Sequence, residues 1–272
     1  MSVSDVEPAI TTLEAGGRFG PAALVRAWPL IVELARRDLA LRFRRLVPGL
    51  AWSLLQPVLP ALVCALAASG TRSDRTSGLL FYLAGFVVWL PAAATILQTA
   101  LAIERHAATV PRVGCHRAVF PVAAALGGAL DHALALAVYV VASAALGRFT
   151  PWLLPGLLLA PAIGLLAALG LGLVLAALQP QFRELRHALP YLIQLGVLCS
   201  PVVYAPQAIS GWAERALQAN PLAAAIELLR CPIEGRAVPL GAACLALLGS
   251  GALVLVGLRF FEHREPRWLD RL

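Results

Sequence analysis

Two ionisable residues, Asp131 and His132, are the only interruption in an otherwise uncharged run from Ala118 to Gly147. A carboxylate at the centre of a membrane helix costs roughly 3 kcal/mol or more, so Asp131 needs a physical reason to be there. Either it takes part in function directly, or it pairs with a hydroxyl or an arginine of another helix and serves as packing glue. Catalysis would need several acids converging, and besides Asp131 the chain offers only Glu104 near a span interior. No HExxH, GxSxG or aspartate-rich metal motif occurs, and His106, His116, His132, His187 and His263 lack ligand spacing. The expectation is therefore no catalytic residue and no metal site. All 22 basic residues are arginine. Without lysine the chain can hold neither a P-loop nor a Schiff base, so any ATP chemistry belongs to another subunit.

Helices in a bilayer must position these residues. Of 272 residues, 60% are hydrophobic and 14% charged, too apolar a mixture for a water-soluble domain of this length. The apolar residues fall in long blocks, which predicts one all-α integral membrane domain. The net charge of +7 comes from arginines set between those blocks and not from aromatic-interleaved patches, which argues against nucleic acid. Cys64, Cys115, Cys199, Cys231 and Cys244 are odd in number and show no CxxC spacing, so they read as small apolar residues. The first twenty residues carry acids and glycines but no apolar core, unlike a cleavable signal peptide, and an N-terminus in the cytoplasm is expected.

Six runs exceed the ~20 residues that cross a hydrocarbon core. They predict spans at about 47–70, 78–103, 119–147, 152–178, 188–204 and 238–258, between a tail at 1–27 with an amphipathic helix at 28–46 and a second tail at 259–272. With the N-terminus inside, sixteen arginines fall on the inner side and six outside, which supports both termini being cytoplasmic. Ahead of the first span, Trp28, Ile31, Val32, Ala35, Leu39 and Phe43 recur at three- and four-residue steps. The other faces carry Glu33, Arg36, Arg37, Arg44 and Arg45, so this helix should lie among the inner headgroups of membrane lipids. It is either an anchor or a docking element.

The inner loop from Glu104 to Pro121 is basic and broken by Pro111 and Gly114. Such a loop sets topology, docks a partner, or does both. Beyond the fifth span, Pro201, Pro206, Pro221 and Pro232 permit only short helices. These either lie on the outer surface or form a re-entrant hairpin packed on protein. Trp52, Trp89, Trp152, Tyr191, Tyr204 and Trp212 near span ends suit an interface belt or stacking on sugar faces. Gly127, Gly128, Gly170 and Gly172 suit close helix contacts.

Three blocks carry a family resemblance. Arg37, Asp38, Leu39, Arg42, Arg44, Gly49, Trp52, Leu55 and Pro57 lie in RDLALRFRRLVPGLAWSLLQP. The second block is FRELRHALPYLIQLGVLCSPVVY, and the third is Asn220 and Pro221 followed by Glu227 and Arg230. Together, from about Trp28 onward, they resemble ABC-2 type permeases that export polysaccharides, nearer the O-antigen and teichoic acid branch than the capsule branch. The loop ATVPRVGCHRAVFP departs from that family's usual text. The resemblance implies a pair of permease copies around a channel, two cytoplasmic ATP-binding subunits holding ATP and Mg, and a lipid-linked glycan exported across a bacterial inner membrane. No cofactor is implied on this chain. It implies re-entrant outer helices between spans five and six, and contact with the ATPase through the interface helix and the inner loop. The docking candidates are Arg37, Arg44, Arg105, Arg112 and Arg117, and the channel or outer-gate candidates are Trp52, Trp89, Asp131, Tyr204 and Trp212. Alternative readings are export of a lipid, a small molecule or a capsular polysaccharide by the same machinery, or an intramembrane glycan-transfer enzyme.

One expectation needs only the missing lysine. The purified chain alone should hydrolyse no ATP above background in a phosphate-release assay, and turnover that co-purifies with a homogeneous chain would contradict it.

Overall fold

The computed structural model describes residues 21–42, 46–68, 75–106, 116–182 and 184–269, and all regular structure among them is helical. Arg44, Arg112 and residues 1–20 of the N-terminal tail lie outside the described residues.

The first helix, α1 (Pro21–Arg42), starts on a proline, whose missing N–H is no loss in a first turn. It buries Ala27, Ile31 and Ala35, a four-residue stripe, the first two against Ile103, Phe120 and Phe261 at one end of the bundle. Trp28, expected on the same face, is 47% exposed. Small side chains let the helix axis approach closely, and the bulky indole turns outward.

Helix α2 (Leu46–Ala67) contains Pro57 and Pro60 and leaves Leu55, Leu59, Leu62 and Leu66 exposed, touching the bundle mainly along α3 (Arg75–Ala100). α3 is the central helix. Every residue from Leu80 to Trp89 is buried, which a helix apolar on all sides requires. The one-turn α4 (Ala102–Arg105) continues it, α5 (Val119–Ala145) and α6 (Leu154–Leu178) pack against it and each other, and α10 (Leu240–Leu269) packs along α6.

Four helices among the described residues are long and apolar enough to cross a membrane: Thr76–Ala100, Val119–Ala145, Pro151–Leu178 and Leu240–Pro266. A shorter apolar helix runs over Trp52–Ala67. Residues 188–204 do not form one uninterrupted helix. They comprise most of α7 (Leu185–Leu195), a 3-10 turn at Gly196–Cys199, and an extended Ser200 with φ −120° and ψ 146°. Pro201 causes the break, because a residue before proline is pushed out of the helical region. The same effect makes Ala205 extended before Pro206 and Asn220 extended before Pro221. Two short helices follow, α8 (Trp212–Ala219) and α9 (Pro221–Ile233).

Glycines allow close helix contacts. A Cβ at Gly170 on α6 would lie 2.7 Å from the Leu253 backbone carbon of α10, and one at Gly257 would lie 2.6 Å from the Gly170 carbonyl oxygen. Gly128 and Gly172 likewise meet Thr95 and Thr99, whereas Gly127 faces open space. Replacing Gly170 with leucine should therefore push α6 and α10 apart and destabilise the fold by about 1–3 kcal/mol or more. The readout is a lowered unfolding midpoint in detergent, with Gly127→Ala, where there is room, left near wild type.

Candidate functional site

The deepest charge in the molecule lies on α9. Arg230 is 1% exposed, yet every face of its guanidinium has a partner. Its Nε donates to the Phe81 carbonyl at 3.0 Å, Nη1 to the Pro201 carbonyl at 2.6 Å, and Nη2 to the Val202 carbonyl at 2.7 Å. The group lies 3.6 Å above the Phe81 ring centroid and 3.8 Å from Glu227. Pro201 and Val202 sit where the helical ladder has just broken, so their carbonyls lack intrahelical donors. A rigid planar fork with five donors spread over three nitrogens can serve several separated carbonyls at once.

Asn220 works on the same break. Its Oδ1 accepts from the Leu222 N–H at 2.9 Å and caps α9, while Nδ2 donates to the Cys199 carbonyl and to Ser200 Oγ, each at 3.0 Å. Pro221 occupies the first helical position, where its ring suits the helix. Gly85 of α3 completes the fit, since a Cβ there would come within 2.6 Å of the Val202 carbonyl oxygen. Beyond α9, Arg236 bonds Glu227 and Glu234. Burial opposes its charge, but the hydrogen bonds it donates to both carboxylates prevail and hold the guanidinium above its ordinary range.

At the other end of the bundle, Asp131 is buried and accepts from Arg42 Nη1 at 2.7 Å, which ties the end of α1 to the middle of α5. Glu104, the other candidate acid, is held elsewhere, by Gln179 Nε2 and Arg186 Nη1, both at 2.7 Å. The two acids thus have separate partners and form no joint acid–base site. Among the described residues no group of three His, Cys, Asp or Glu is placed to hold a metal.

The aromatic candidates separate. Trp89 is 7% exposed and packs its ring against Gly196, where a Cβ would lie 2.6 Å away. Tyr204 donates to the Leu198 carbonyl at 3.0 Å, so both attach to the 3-10 turn at 196–199. Trp52 and Trp212 are 62% and 84% exposed and point out of this chain's bundle. Of the basic candidates, Arg37 and Arg105 are exposed beside a cleft of about 610 Å³ between α1 and the inner ends of α3 and α5. Arg117 instead donates to Glu265 on α10 at 2.9 Å, and His116 lies 3.6 Å from the same carboxylate.

The sequence profile described as ABC-2 type transporter matches residues 29–232, from early in α1 to the end of α9. The chain belongs to the ABC-2 type transporter family. This ABC-2 permease is 24% identical over 250 residues to the O-antigen export system permease protein RfbA of Myxococcus xanthus, covering 89% of this chain and 95% of that protein. It is a multi-pass membrane protein, and ABC-2 permeases are transport subunits that pair with ATP-binding subunits.

Sequence reasoning counted Arg230 only as an outer arginine and a family-block residue, and gave Arg42, Glu104 and Glu265 no structural role. A signal for Arg230 was available: it is a single charge set between Leu228–Leu229 and Cys231 on the apolar face of a short helix. Nothing in the sequence pairs Glu265 with Arg117, which are separated by 148 positions.

Arg230→Lys keeps the charge of the permease but cannot fork to three carbonyls. It should destabilise the fold by about 3 kcal/mol or more, because buried acceptors lose their donors. The measurement is the unfolding midpoint together with protease cleavage within 200–211, which should appear in the variant at temperatures where the wild type resists.

Proposed function

We propose that this permease exports a lipid-linked polysaccharide of the O-antigen type across a bacterial inner membrane, as a dimer with a second copy of itself and with two cytoplasmic ATP-binding subunits. The observation that carries this reading is the similarity to an O-antigen export permease along nearly the full length of both chains. Four long helices, α2, and the α7 segment with its 3-10 extension make up the proposed six spans, with both termini inside and α8 and α9 as outer helices dipping toward the membrane.

In the proposed cycle, ATP-driven closure of the partner subunits pushes on the inner loop at 105–117 and on α1. Arg37, Arg44, Arg105, Arg112 and Arg117 are the proposed contacts. Arg117 also donates to Glu265, which links this end of the loop to α10. Both ends of the loop are strapped to other elements: the entry through Glu104 to Arg186 and Gln179, the exit through Arg117 and His116 to Glu265. A push on the loop would thus reach the α6–α7 linker and α10 together, while Arg42–Asp131 carries movement of α1 into α5. ATP shifts such a gate only by binding the closed state better than the open one. Trp52, Trp89, Tyr204 and Trp212 are proposed to line the glycan path or its outer gate in the dimer.

Deleting the gene should remove a surface glycan and accumulate its lipid-linked precursor in the inner leaflet, with restoration by the wild-type chain. An unchanged glycan with loss of a lipid, a small molecule or a capsule from the outer face would reassign the cargo. The topology has its own check. In a background lacking the five native cysteines, Arg215→Cys should react with a membrane-impermeant thiol reagent on intact cells, and Arg112→Cys only after permeabilisation. Labelling of both from one side would overturn the six-span arrangement.

A further inference from the structure

The cleft between α1, α3 and α5 has the build of a receptor for an amphiphile. Its lining mixes polar groups, Arg37, Asp38, Arg42, Gln98, Arg105 and His106, with an apolar wall that includes Leu34, Leu39, Ala123, Ala124 and Gly127. Gly127 lies eight residues into α5, about 12 Å along the helix from Val119 at 1.5 Å per residue, and the Arg42–Asp131 pair lies one turn further on. A Cβ at Gly127 would meet nothing within 4 Å, so this glycine borders space and not a helix contact. The volume of about 610 Å³ lies within the range of small-molecule sites.

The charges narrow the ligand. Arg42 is committed to Asp131 at 2.7 Å, and Asp38 lies 3.4 Å from His106. Arg37 and Arg105 have no carboxylate within ion-pair distance among the described residues. Among the described residues, Arg37, Arg42 and Arg105 stand against Asp38 and Asp131, so the arginines outnumber the carboxylates. A phosphodiester carries one negative charge and presents the oxygens that arginine forks bond. Basic pockets between transmembrane helices on the cytoplasmic side are where anionic headgroups bind.

We propose that this cleft holds the headgroup phosphate of a singly charged anionic phospholipid from the inner leaflet, with Arg37 and Arg105 as its ligands and an acyl chain along Ala123, Ala124 and Gly127. The site is separate from any glycan path and does not depend on the identity of the cargo. A resident lipid there would fill the gap between α1 and the bundle beside the Arg42–Asp131 pair.

The test uses the full chain in detergent, delipidated and titrated with phosphatidylglycerol, phosphatidylcholine, inorganic phosphate or a polyprenyl diphosphate. Bound lipid is counted by native mass spectrometry and stability by thermal unfolding. Phosphatidylglycerol should be retained and should raise the midpoint. The double variant Arg37→Gln with Arg105→Gln should weaken retention about tenfold or more, since two charge-assisted hydrogen-bonding groups are lost. Arg26→Gln with Arg36→Gln removes the same charge from exposed positions of α1 outside the cleft and should bind as wild type. Because all four side chains are exposed, each variant's lipid-free midpoint should match wild type, and that match reports intact folding. Equal retention by the Arg37/Arg105 variant, or equal retention of phosphatidylcholine, would overturn the proposal. So would displacement by inorganic phosphate, which marks a soluble-anion site, or preference for polyprenyl diphosphate, which marks a cargo site.

Discussion

A broken helix in a membrane protein must find donors for the carbonyls it releases, and here a single guanidinium supplies them. The break at Ser200–Pro201 follows from local sterics alone, but a chain that turns there inside an apolar bundle would strand its backbone groups at a cost of several kcal/mol each. Arg230 resolves this by forking across Phe81, Pro201 and Val202 while stacking on the Phe81 ring. The central helix, the broken segment and the short outer helix are thereby joined at one point. Asn220 adds a second link from the start of the same short helix to Cys199 and Ser200. Burying a charge without these partners would be prohibitive, so clamp and break require each other.

The opposite end of the bundle is built differently. Its connections are ion pairs, two of them with an arginine reaching solvent, Arg42 at 39% and Arg186 at 49% side-chain exposure, against a completely buried Arg230. Pairs open to solvent are individually weak and can exchange partners, whereas Arg117–Glu265 is mostly buried. The clamp fixes the order of α3, α7 and α9, while the ion pairs at the other end tie α1 to α5 and α10 to the start of α5. The tight glycine contact between α6 and α10 is fixed as well, since interdigitated backbones have no alternative spacing.

The family resemblance also takes on physical meaning. Block two ends in CSPVVY and block three begins at Asn220 and runs to Arg230, and they are separate in the sequence. In the fold they are one feature, because Asn220 and Arg230 bond the residues of the first at 199–202. The first block behaves otherwise. Arg37 and Arg42 line the inner cleft, while Trp52 and Leu55 face outward from α2.

Apolar block length and proline placement by themselves determined the helical class, the long spans, the short outer helices and the points where helices stop. These follow from hydrocarbon thickness and from the missing N–H and ring of proline, which act within a few residues. The absence of lysine likewise set where ATP cannot bind. What only the tertiary structure decided is which charges meet. Asp131 meets Arg42, 89 positions away in the sequence. Arg117 meets Glu265, 148 positions away. Even the apolar stripe of α1 was settled by contact, with Ile31 turned in and Trp28 turned out. Hydrophobicity says that a residue leaves water, but it carries no information about the partner it finds, because partner choice depends on shape and charge brought together by the whole fold.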